Sequence, residues 1–136
     1  MPVTYSINGE ALLIRTKCSG NLTLQEVLNH FRTLRDDPAC PDRLDVLLDC
    51  TEIINLPQSR QLEAVGCEIR NLRKRLRFGF CAVVAPRDAL FGMLQVFAVI
   101  AQDYFREICV LRSTEEAETW LNSHRGSAAD PPSAQP

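Results

Sequence analysis

The chain has 136 residues, 46% of them hydrophobic and 24% charged, a balance that fits one globular domain and excludes fibrous and disordered classes. Its net charge of −2 excludes the strongly basic class of general nucleic-acid binders, so no nucleic acid is expected as a partner. Six cysteines form no Cys-x-x-Cys pair, so neither a disulfide framework nor a metal site is expected, and no cofactor. The start, MPVTYSINGE, lacks the basic and apolar regions of a secretory leader. The apolar run from Ala89 to Ala101 is too short to span a bilayer. The expectation is a cytoplasmic protein.

In chain order, Val3–Ile7 alternates and is followed by Asn8-Gly9 and a second run to Arg15. Asn-Gly between two such runs predicts a tight hairpin, because both turn positions need positive φ. Cys18–Leu22 predicts a turn. Thr23 with Glu26 predicts a capping box opening a helix, with a stripe of Leu24, Val27, Leu28, Phe31 and Leu34. DDPACPDR is a loop, and Leu44–Cys50 a short apolar strand. After the loop Thr51–Ser59, a stripe of Leu62, Val65, Ile69, Leu72 and Leu76 predicts a helix to about Arg75. Phe78–Ala85 reads as a buried strand, and Asp88 as the N-cap of an apolar helix to Phe105. Ile108–Arg112 is the last strand, and Ser113 with Glu116 caps the last helix. Residues 1–124 form the expected domain, and 125–136 a Pro/Ser/Ala-rich tail expected to be disordered. Alternating apolar strands and helices predict an α/β fold. Its five-stranded sheet should be mostly parallel, with one antiparallel N-terminal edge strand, four helices and right-handed crossovers.

No catalytic constellation stands out. The two histidines, His30 and His124, lie away from strand ends, where such folds place their sites. Asp49 ends a central strand, but one carboxylate is not a mechanism. Thr51, Asn55 and Ser59 follow it and read either as turn and cap residues or as a regulatory loop at a helix N-terminus that welcomes phosphate. Arg70, Arg73, Lys74 and Arg77, with Arg75 among them, crowd one helix end. They read either as cations facing the helix dipole or as an anion patch for acidic lipid or protein. The helix 88–105 carries more apolar surface than one sheet needs. Leu90, Leu94, Phe97 and Ala101 should meet the sheet, which leaves Phe91, Ala98 and Phe105 on one flank and Met93, Val96 and Ile100 on the other. Phe91, Met93, Ala98 and Phe105 are therefore the expected partner or lid face unless neighbouring helices bury them.

Met1–Leu121 resembles the SpoIIAA-like group of the STAS domain superfamily. The resemblance is carried by element order and by the phrases PVTYSINGEALLIR, LDVLLDCTEI, CAVVAPRDALFGM and REICVLRSTEEAETWL. It implies a βα superhelical sheet and a non-enzymatic module. Antagonists in that superfamily bind a kinase partner and are switched by phosphorylation of a serine after the third strand. Asp49 matches their pattern and Thr51 replaces its first serine, but the phospho-acceptor position falls on Gln58 and only the following serine, Ser59, is kept. The group is similar in fold to lipid-carrying CRAL-TRIO domains, where the helix corresponding to 88–105 is a lid over an apolar cavity. The expected function is thus a regulatory protein-interaction module, self-associating or bound to a protein partner through helix 88–105. The alternative is a carrier for a hydrophobic molecule, meeting an anionic membrane surface.

Overall fold

The computed structural model describes residues 3–129. Strands β1 (Val3–Asn8), β2 (Leu13–Gly20), β3 (Arg43–Ile53), β4 (Arg77–Val84) and β5 (Glu107–Leu111) alternate with helices. The helices are α1 (Leu24–Asp36), α2 (Ser59–Leu72), α3 (Asp88–Ala101) and α4 (Thr114–Ala129), with a 3₁₀ turn at Gln102–Tyr104 after α3. The five strands form one sheet in sequence order. β1 is antiparallel to β2, and every other pair is parallel. This is the α/β architecture that the strand and helix patterns predict.

α1, α2 and α3 cover one face of the sheet over a large core that includes Ile14, Leu34, Leu44, Ile69, Val83 and Leu90. α4 alone covers the other face, over Leu47, Phe80, Ala82 and Val84, through Ala117 and Leu121. The two faces of β4 are set by an irregularity beside β3. Leu44 pairs with Phe78 and Val46 with Cys81, so Gly79 and Phe80 together oppose Asp45. This bulge reverses the alternation of β4. Phe78, Cys81 and Val83 face the three-helix side, while Phe80, Ala82 and Val84 face α4. Asp45 holds the bulge by accepting the Phe80 N–H at 2.8 Å.

Local structure departs from the sequence-based expectation at several points. The hairpin is not a two-residue turn on Asn8-Gly9, since Asn8 pairs with Leu13 and the loop runs between them. The Asn8 side chain accepts the N–H groups of Glu10 and Ala11, and the positive φ falls on Leu12 at 54°. Cys18–Gly20 continues β2, because β3 extends to Ile53 and keeps it paired. Asp88 is not the N-cap of α3. Arg87 holds that position, and the Asp88 carboxylate in the first turn accepts from Arg112 at 2.6 Å. The Thr23–Glu26 capping box forms as expected.

The last helix passes the expected boundary at 124 because Arg125 is fastened to the sheet. It donates to Asp45 at 2.9 Å and to the Ala11 carbonyl. The rest of the expected tail, 130–136, lies outside the described residues.

Candidate functional site: an apolar cavity beneath three helices

Between the sheet and the three-helix layer lies a partly open cavity of about 140 Å³. Its walls are Val27 and Phe31 of α1, Leu62 and Val65 of α2, and Leu94 and Phe97 of α3. Its floor is the sheet, with Ile14, Thr16, Cys18, Val46, Cys50 and Cys81. Thr23, Asn55 and Gln61 line it where α1 and α2 begin, and Phe105, stacked on Phe78 with centroids 5.3 Å apart, lines it beyond α3. Each amphipathic helix presents its apolar stripe here, and three rigid stripes do not close completely over a twisted sheet.

The polar groups on this lining differ in how they are engaged. Asn55 accepts the Leu22 N–H at 2.8 Å and donates to the Leu22 carbonyl at 2.9 Å, fastening the β3–α2 loop to the end of β2. Thr23 and Gln61 cap α1 and α2. The Cys50 thiol is pushed up by the hydrogen bond it shares with Cys18 and by burial, and burial pushes the Cys81 thiol up too. All six cysteines are free thiols; the shared hydrogen bond that raises Cys50 lowers Cys18, whereas Cys50 and Cys81 are held protonated. Thr16 is 4% exposed and is the buried polar residue of the core. His30, edge-on to Tyr5 with centroids 5.3 Å apart, is held neutral by burial, which lowers its pKa to about 4.

The expected regulatory loop is not one site. Asp49 lines a shallow groove on the opposite face with Arg15 and Lys17, and accepts the Thr51 N–H and hydroxyl at 2.9 and 2.6 Å. Asn55 faces the cavity, while Ser59 is exposed in the first turn of α2 after the N-cap Gln58.

The expected partner face is largely used inside the fold. Phe91 lies under the Arg112 guanidinium at 4.0 Å, Phe105 stacks on Phe78, and Met93 and Ala98 are half-buried against the core. What α3 leaves outside is Val96, 40% exposed, and Val99, 66% exposed. Ile100, on the second flank, closes against Gly66 of α2, where any Cβ would stand 2.9 Å from its Cγ2.

In the anion patch, Arg70, Arg73, Lys74 and Arg77 are exposed. Arg75 is not free: it donates to the Asp37, Cys40 and Pro41 carbonyls and closes the loop before β3.

His124 and His30 part company. The His124 ring bonds the Trp120 carbonyl at 2.9 Å, whereas His30 lines the cavity. Sequence reasoning missed His30, although it lies three residues after Val27 and four before Leu34, on the apolar stripe itself. Among the described residues no group of His, Cys, Asp and Glu could hold a metal ion, and no helix is long and apolar enough to cross a membrane. The sequence matches no family model and no curated protein.

Proposed function

We propose that this chain is a non-catalytic binding module of the STAS type whose cavity receives a small hydrophobic molecule, with α3 as one wall. The observation that carries this is the apolar cavity of about 140 Å³ walled by three helices over the sheet. Cavities of about 150 Å³ lined by aliphatic and aromatic side chains stay dry and take up apolar molecules such as benzene. A non-catalytic role is supported by the engagement of Asp49 with Thr51 and by the commitment of its neighbours Arg15 and Lys17 to Glu118 and Glu52. The test is thermal unfolding with and without saturating toluene. A ligand that binds only the native state raises the midpoint by mass action, and no shift with toluene or xenon would sink the proposal.

A second reading, association with another copy or a protein partner through α3, is favoured by the exposure of Val96 and Val99. With Gly92 they stand at i, i+4 and i+7 on one helix face. Val96→Lys with Val99→Lys should convert any dimer seen by sedimentation equilibrium to monomer while leaving the unfolding midpoint near that of the unmodified chain. A dimer that persists removes α3 as the seam.

A further inference from the structure

The cavity constrains its ligand by size, charge and hydrogen bonding, and these three constraints converge. Its volume of about 140 Å³ is well under the roughly 300–1,000 Å³ of sites for drug-sized molecules, so it admits one ring or a short branched chain and not a long acyl chain. The lining offers no charged partner, since its titratable groups are buried thiols and a neutral imidazole. An ion there would lose its hydration with nothing in return.

Thr16 and His30 are polar groups of the lining without a hydrogen-bond partner among the described residues. Thr16 sits on β2 between Ile14 and Cys18, faces the same side as both, and is nine-tenths or more buried. Thr16 lines the cavity, and its hydroxyl makes no hydrogen bond with the described residues. Burial lowers the His30 pKa, and no described residue hydrogen-bonds the ring. Thr23, Asn55 and Gln61 are committed to caps and to Leu22. A hydroxyl and an imidazole that lack a protein partner in an apolar lining favour any guest that brings them one.

We propose that the cavity selects a neutral, ring-sized molecule carrying a single hydrogen-bonding group, of the phenol or indole class, which meets Thr16 or His30. This rests on the cavity being a ligand site as argued above.

The test is calorimetric titration of the full chain at neutral pH with toluene, phenol, benzoate and decanoate. Phenol should bind about fivefold more tightly than toluene, the worth of one neutral hydrogen bond. Benzoate and decanoate should not bind. Thr16→Val or His30→Leu should remove the preference for phenol and leave toluene affinity unchanged, and Val27→Phe, which fills the space, should abolish both. Equal affinity for phenol and toluene, or a preference that survives both Thr16→Val and His30→Leu, overturns the hydrogen-bonding handle. Binding of decanoate at least as tight as phenol, or of benzoate, overturns the size or charge constraint while sustaining the cavity as a site. If neither toluene nor phenol binds, the ligand site itself fails, and this inference with it.

Discussion

Gly79 has no room for a side chain: a Cβ there would stand 2.1 Å from Asp45 Oδ1 and 3.4 Å from its Cγ. The carboxylate cannot swing away freely, because it holds the Phe80 N–H and Arg125. Gly79→Ala should therefore cost about 1–3 kcal/mol in denaturant unfolding, the range for overpacking a well-filled site. An unchanged midpoint would mean that Asp45 does not fix the bulge. His30 makes a different kind of prediction. Its pKa falls from 6.5 to about 4 on folding, because burial disfavours the imidazolium. Between those values the unfolded chain takes up a proton that the native chain refuses. The stability tied to His30 is therefore complete above pH 6.5 and is lost as pH falls toward 4, by at most ~1.4 kcal/mol per pH unit. His30→Leu should flatten that part of the stability–pH curve. Superimposable curves would place the ring in water.

α3 shows how a helix can be apolar on nearly every side and still suit a three-helix layer. Leu90, Leu94, Phe97 and Ala101 are buried as its wheel predicts. Its flanks are taken by Gly66 of α2 and by Arg112 over Phe91; Phe105, expected on the helix, is extended after the 3₁₀ turn and stacks on Phe78. The start of α3 is tied to the end of β3 through Arg87, which donates to the Ile53 carbonyl at 2.8 Å. The β3–α2 loop is tied to β2 through Asn55. Asn55→Ala should lower stability by about 1–2 kcal/mol, as two backbone groups lose their partner. Amide exchange should speed up at Leu22 with little change in β4. Unaltered exchange at Leu22 would show that the loop is held by something else.

Over the whole molecule, α4 is fastened to the sheet by a polar link at the bulge. Asp45 accepts from the Phe80 N–H and from Arg125 of α4, and Arg125 also reaches the Ala11 carbonyl after β1. Arg125 and Asp45 are mostly shielded, with side chains 23% and 22% exposed. Arg125→Met should cost about 1–3 kcal/mol, because it leaves a half-buried carboxylate with one partner fewer. The loss should appear first as faster amide exchange in α4. Exchange that rises equally in α1 would contradict a link specific to α4. The three-helix core has its own ties, including the 2.6 Å hydrogen bond from the Tyr5 hydroxyl to Asp37.

The sequence by itself determined the element types and their order, because apolar periodicity and the Thr23–Glu26 box act within a few residues of chain; of the α1 stripe only Leu34 is buried. It also determined that α3 needs more cover than a sheet supplies. It did not determine which face of β4 meets which helix, because the bulge opposite Asp45 shifts the alternation by one residue and depends on a neighbouring strand. It did not determine that Asp49, Asn55 and Ser59 part to different surfaces, since that depends on pairing with β2. Nor did it determine that Thr16 and His30 share one cavity. A void is the space left between elements after they pack, and no local pattern of residues encodes it.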